Sequence, residues 1–427
     1  MLASLRYHRN YRLYFSGQCI SQVGTWLQTA AQSWLILELT HSAGAVGVLG
    51  FCFYGPYALL GLVGGALADR WDRRTTLVIT QSAMALCAAS LALAVFLHAA
   101  SVWFIDAVAV VRGTILVFNN PSRQALIVQL VGRSELSNAI ALNSSLNNAT
   151  RIVGPALAGV LIETTGMGTC FALNALSFIA VIWALLAMRS SEFHGQAELR
   201  RSGPLLESIR AGLSYARHTK TVAIVLAMMF VVSTLAINYS VLLPVLAQQT
   251  MHGGPQTYGW IAAVFGLGAL SGALIAASRS RASRGLLLTA CAAFGIFQCV
   301  LATQHRFLPV ALSLLVTGIF YTIYSASTNA LVQLATPGFL QGRVGGLYSY
   351  VFLASGPVGS LLAGFLCERG GTELAFATGG IATIGMAIFG LLTRPWPMPT
   401  GTVRRAMPLD RARERRHRRE RRAVRPS

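Results

Sequence analysis

Gly64-Gly65-Ala66-Leu67-Ala68-Asp69-Arg70-Trp71-Asp72-Arg73-Arg74 is the stretch on which the fold of this chain turns. Before it, residues Ala45–Ala68 form an apolar run without a charge, and after it Thr76–Leu97 form another. A bilayer core about 30 Å thick needs about 20 apolar residues per helix. Each run meets that length, and the short link between them carries two aspartates and three arginines. Two apolar runs joined by a charge-dense turn make a membrane hairpin, and the arginine excess puts the turn on the cytoplasmic side.

The same pattern extends along all 427 residues. Apolar residues make up 54% and charged residues 11%, against about a quarter charged in a soluble domain. The apolar spans are Tyr11–Leu39, Ala45–Ala68, Thr76–Leu97, Val102–Phe118, Ala139–Ile162, Cys170–Met188, Val222–Leu246, Gly259–Ala277, Leu286–Ala302, Leu308–Asn329, Val344–Cys367 and Leu374–Leu392. The first is not a cleavable signal peptide: it is too long, and Gln18, Gln22, Gln28 and Gln32 interrupt it. Twelve spans predict an all-α membrane protein. Residues 1–10 form a cytoplasmic N-terminus, 11–188 a first six-helix half, 189–221 a cytoplasmic link, 222–393 a second half and 394–427 a basic tail.

The net charge of +20 is distributed by topology. With a cytoplasmic N-terminus, 30 of the 34 Lys and Arg residues fall on the cytoplasmic side, 12 of them in the tail. Arg306 and Arg369 fall outside, and Arg112 and Arg151 fall within spans. One missed helix would invert this bias. The halves also repeat: Leu157-Ala158-Gly159 and Glu163 match Leu362-Ala363-Gly364 and Glu368 at an offset of 205. Parallel six-helix repeats are a transporter plan with the substrate site between the halves. In the link, residues 204–218 read as an amphipathic surface helix with Leu206, Ile209 and Leu213 on one face.

The hairpin turn resembles the loop signature of the major facilitator superfamily between its second and third helices. Its Asp-Arg-x-Asp-Arg form is similar to the branch that holds the enterobactin exporter and the macrolide efflux proteins. Gly17-Gln18, Gly24, Asn120-Pro121-Ser122-Arg123-Gln124 after the fourth span, and Arg151-Ile152-Val153-Gly154-Pro155 fit that branch. Asn119 stands where the branch has aspartate. The resemblance covers about residues 5–395 and is thinner in the second half. It implies the major facilitator fold and a cytoplasmic latch made of Gly65, Asp69, Arg70, Asp72, Arg73 and Arg74. Asp69 would face the positive N-terminus of the eleventh helix, near Arg343 and Val344. The other reading is that these charges only fix topology.

Arg112 and Arg151 lie near mid-membrane, where a charge is costly and marks function by default. They serve substrate or coupling, or are structural arginines held by carbonyls and polar side chains. Asp106 is the carboxylate clearly inside a span. It is a candidate proton carrier, or a solvated group about 6 Å from the outer end. Gln18, Gln22, Thr25, Thr29 and Gln32 share one face of the first helix, and Tyr321 and Tyr324 share one in the tenth. Such stripes line a cavity or tie helices together. Gly154, Pro155 and Gly159 resemble an antiporter bend motif; generic helix packing is the alternative.

The resemblance implies a secondary active exporter of an amphipathic small molecule, a drug or siderophore-like compound, with protons as the coupling ion. An importer of a small nutrient or lysophospholipid, and a scaffold or sensor without transport, are the competing readings. No nucleophile–base set, metal cluster or phosphate-binding loop appears, and the seven cysteines lack metal or redox spacing. Neither an enzyme nor a cofactor is therefore expected. The tail suits anionic lipid and lacks the aromatics expected for nucleic acid. The expected setting is a bacterial inner membrane, with both termini cytoplasmic and the chain a monomer.

Overall fold

The computed structural model describes residues 3–68, 71–132, 135–194, 205–279, 282–338 and 340–393. The basic tail, Asp69 and Arg70 lie outside the described residues. Among the described residues fifteen α-helices follow in chain order: α1 (Ala3–Tyr7), α2 (Arg9–Thr40), α3 (Ala43–Ala68), α4 (Arg73–Phe96), α5 (Val102–Val131), α6 (Leu136–Thr165), α7 (Met167–Leu186), α8 (Leu205–His218), α9 (Lys220–Ala236), α10 (Tyr239–Val245), α11 (Pro255–Ser278), α12 (Arg284–Leu301), α13 (Phe307–Leu334), α14 (Gln341–Ala354) and α15 (Gly356–Leu392). Among the described residues there is no strand.

Nine described stretches are long and apolar enough to cross a bilayer. The last, Gln341–Leu392, holds two crossings, because Gly371 reverses the chain at φ 67° inside α15. A side chain rarely adopts that backbone conformation, which explains glycine there. α2 and α6 have the length of a span but carry the polar residues of the first and fifth crossings. With these the described residues hold about twelve crossings.

Helix ends differ from the apolar runs where polar residues continue a helix. α5 runs through Pro121 to Val131, so Asn120–Gln124 lies within the helix and not after it. Apolarity marks where the bilayer ends, and hydrogen bonding marks where the helix ends. The seventh crossing is broken between α9 and α10 without a glycine or proline at the break. Asn238 Nδ2 donates to the Thr234 carbonyl at 2.8 Å, a local bond that competes with helical pairing. Gly359 permits a close approach there: a Cβ on it would lie 2.6 Å from the Thr234 oxygen.

The packing divides into two groups. α2 packs on α6 and α7, α4 on α5 and α7, and α3 on α5. In the second group α11 and α12 pack on α13, and α9 and α12 pack on α15. Two seams join the groups, α6 against α11 and α3 against α15. α8 lies on the second group and packs against α14 and α9. Its buried face is Gly212, Tyr215 and Ala216, with Tyr215 donating to the Ala335 carbonyl. Of the apolar face expected from the sequence, Leu213 is exposed, and the side chains of Leu206 and Ile209 lie outside the described residues.

Candidate transport cavity between the two helix groups

The ends of the bundle differ in chemistry. One carries Arg73, Arg74, Arg189, Arg210, Arg217, Lys220, Arg279, Arg284 and Arg343, and is termed the basic pole. The opposite pole carries the turns at residues 41–42, 98–101, 252–254 and 370–371.

At this opposite pole the seams are tight. A Cβ on Gly47 would lie 2.7 Å from the Ser360 carbonyl, and one on Gly159 would lie 2.8 Å from the Pro255 carbonyl. Only glycine lets these backbones approach so closely. Trp34 of α2 stacks on Tyr258 of α11 with ring centroids 6.0 Å apart. Glu368 of α15 accepts the Gly44 backbone N–H at 2.9 Å and the Ser42 hydroxyl, so it caps the N-terminus of α3 from the other group. Glu163, its repeat partner, has Oε2 3.4 Å from where a Cβ on Gly254 would sit, at the start of α11. Each repeat thus sends a glutamate to the N-terminus of a helix in the other group, where the helix dipole favours a negative charge.

Beneath these seams lies a cavity lined by Thr29, Gln32, Phe53, Tyr54, Arg112 and Ser240, among others, with about 420 Å³ of empty space, open solvent included. It is bounded by α2, α3 and α5 of one group and α10 of the other. Arg112 is only 5% exposed. Its Nη1 donates to Gln32 Oε1, and Gln32 Nε2 donates to the Ile105 carbonyl at 3.2 Å. Its guanidinium lies 5.3 Å from the centre of the Phe53 ring. Arg151 lies 5.4 Å from the Trp26 ring, with its Nε buried and without a hydrogen-bond partner. Each cation, Arg112 buried and Arg151 half-buried, therefore meets a ring face, a contact of about 0.5–2 kcal/mol. Tyr54 lies within electrostatic reach of Arg112, Arg151 and Tyr321. Tyr54 and Phe53 were not singled out from the sequence, because apolar surroundings hide their direction.

The first-helix stripe divides. Thr29 and Gln32 line the cavity. Gln22 bonds Asn147 of α6 at 2.9 Å, and Thr25 bonds the Ser21 carbonyl. Gln18 is buried with Nε2 unpartnered, and Gln28 binds Asn174 of α7. Tyr321 joins Tyr239, Phe265 and Phe294 in an aromatic cluster. Tyr324 is fully buried. Asn119 Nδ2 donates to the Thr80 hydroxyl of α4 at 2.9 Å, so its amide ties α5 to α4. Gly154 and Gly159 let α6 approach Trp26 and Gly259, and the Pro155 carbonyl faces Gly259. Asp106 is 7% exposed, and its Oδ1 has no hydrogen-bond partner.

At the basic pole Asp72 caps α4, accepting from the Thr75 backbone at 2.8 Å and its hydroxyl at 2.7 Å. These bonds hold its carboxyl below the usual carboxylate range. Arg74 donates to the Leu186 carbonyl at 2.9 Å and to Ser190, tying α4 to the end of α7. Gly65 lies in α3, close to its end. Two of the residues expected in the latch, Asp72 and Arg74, thus brace the first group.

Residues 1–418 match the family described as transmembrane secretion effector. The chain belongs to the major facilitator superfamily. It is 27% identical to the enterobactin exporter EntS of Citrobacter koseri, over 94% of this chain and 97% of that protein. It is 26% identical to the multidrug efflux pump Tap of Mycolicibacterium fortuitum, over 83% and 88%. It is 23% identical to the staphyloferrin A transporter of Staphylococcus aureus, over 87% and 93%. Among solved structures, a D-xylose–proton symporter superposes with a TM-score of 0.69 at 14% identity, over 91% of this chain and 99% of that one. At that identity the likeness speaks for the fold alone. This major facilitator protein is a multi-pass membrane transporter and not an enzyme.

Proposed function

We propose that this major facilitator protein is a secondary active exporter of an amphipathic small molecule, coupled to protons, in a bacterial inner membrane. The basic pole faces the cytoplasm, both termini lie there, and residues 11–188 and 222–393 are the two rocking halves. The observation that carries the reading is the cavity beneath the opposite-pole seams, where helices of both groups meet around a buried arginine. A site between two bodies is served by alternating access: rocking opens it to one side and then the other. The glycine contacts and the Glu368 cap close one side. Relatives named as an enterobactin exporter and a multidrug efflux pump support outward movement.

Arg112 and Gln32 orient a polar part of the substrate, and Phe53 and Tyr54 cover its apolar part. Asp69 closes the cytoplasmic side when the halves rock back. The test is transport into everted membrane vesicles energised by respiration, with a catecholate, a macrolide and a lipophilic cation as probes. Uptake of at least one that collapses with a protonophore is expected. Uptake of none, in vesicles shown to contain the protein, would overturn the reading.

A further inference from the structure

The cavity beneath the seams carries a charge that its own walls do not balance. Among the described residues that line it, Arg112 is the one charged group. It is 5% exposed, and its one hydrogen bond among the described residues runs from Nη1 to Gln32 Oε1. Gln32 is a neutral acceptor, and its own Nε2 is engaged by the Ile105 carbonyl. A guanidinium carries more N–H donors than that single bond uses, so donors remain for a ligand.

Arg151 adds a second cation. Its Nε is buried with no hydrogen-bond partner, and its guanidinium rests on Trp26. Tyr54, in the lining, lies within electrostatic reach of both arginines. The ion pairs among the described residues, Arg189–Glu192 and His305–Glu373, involve neither of them. Asp106, earlier on α5, is about 9 Å from Arg112 along the axis and about 240° round it. It is not part of the lining. From the second group α10 brings Ser240 and Val241, a hydroxyl and an apolar side chain.

Two cations beside a low-dielectric void give it a positive potential, which such walls concentrate. A buried charge without a partner is costly, and a bound anion offsets that cost. The flat guanidinium fork suits two coplanar oxygens of one carboxylate. The remaining lining suits an apolar body: Phe53 and Tyr54 present rings, and Val46, Leu49 and Val241 aliphatic groups. Tyr321, with Tyr239 and Phe265 around it, lies within reach of Tyr54.

We propose that the substrate is an anionic amphiphile, with a carboxylate seated in the Arg112 fork and a ring-bearing body on Phe53 and Tyr54. Ser240 offers the carboxylate a further donor from the other group. The same field disfavours a lipophilic cation. This narrows the transport reading above and rests on it, so binding is measured apart from transport.

Purified protein in nanodiscs is titrated with three dansyl compounds that differ in one end group: dansylglycine, its primary amide, and the cationic amine dansylethylenediamine. Dansyl fluorescence reports binding. Wild type should bind the acid at least about tenfold more tightly than the amide, and the amine least tightly. Arg112→Gln should bring acid and amide within about threefold of each other. Gln32→Glu sets a carboxylate beside Arg112 from within the protein. It should invert the order, with the amine bound ahead of the acid. An arginine that only braces the helices would leave the order of the three probes unchanged in both variants. Wild-type binding of the amine as tightly as the acid, of acid and amide alike, or of none of the three would overturn the anion site. If the expected order holds while everted vesicles take up none of the transport probes, the exporter reading falls and the anion site stands. Proton-driven uptake without any preference for the acid in binding would remove the site and leave export standing.

Discussion

At the scale of single residues, the arginine and the cap make separable predictions. Arg112 is held by Gln32 and Phe53 at the edge of the cavity. Arg112→Gln is expected to insert normally and to lose transport of the probe by more than about tenfold, equivalent to 1.4 kcal/mol. Arg112→Lys should recover only part, because an ammonium lacks the planar donor fork. Transport rates normalised to membrane content decide this. Asp72 caps α4 through Thr75. Asp72→Ala should therefore cost about 1 kcal/mol of stability, read as a lowered Tm in detergent, whereas Asp72→Asn should be nearly neutral because an amide oxygen also caps. A strong transport defect in Asp72→Asn with unchanged Tm would mean that Asp72 serves the latch as well as the cap.

At the scale of elements, the seams decide which side is closed. Glu368 accepts from the Ser42 hydroxyl and the Gly44 N–H, and both bonds favour its charged form, holding its carboxyl below the ordinary 4.5. A depressed value means that the carboxylate's contribution to closure is present above the ordinary value and lost as pH falls through the lowered one. Maleimide labelling of Ser360→Cys, with the seven native cysteines replaced, reports that closure, since Ser360 is buried against Gly50. Relative to an exposed reference cysteine labelled at the same pH, labelling should stay low above the ordinary carboxylate value and rise only below it. Glu368→Gln should raise it at every pH. Gly364→Leu should raise it further, because a side chain there meets the Ala43 carbonyl at 2.9 Å.

The seams also show what the sequence makes legible. The repeat at an offset of 205 paired Gly159 with Gly364 and Glu163 with Glu368, and both pairs occupy equivalent seam positions. The function of those glutamates was not legible, since a carboxylate near a helix end reads as a solvated anchor until its partner helix is known. The cavity was half legible. A polar stripe fixes a helix face, but Gln22 and Gln28 meet asparagines on α6 and α7 while Gln32 meets Arg112. Which face meets a neighbour and which meets a void depends on tertiary packing. Helix breaks such as Asn238 were not legible, because they lie in unbroken apolar runs.

At the scale of the whole molecule, orientation and movement remain to be measured together. Reporter fusions after Arg200 and at the C-terminus should report cytoplasm, and those after His252 and Gly371 should report the outside, because the basic pole follows the positive-inside rule. A cytoplasmic signal at His252 would reverse the bundle. Movement is tested most directly by locking one seam. Ser42 and Glu368 touch across the two groups, so a Ser42→Cys, Glu368→Cys double variant without the native cysteines can be joined by oxidation and released by reduction. Transport of the probe in everted vesicles should stop on oxidation and return on reduction. Transport that continues with the link fully formed would contradict the alternating-access account.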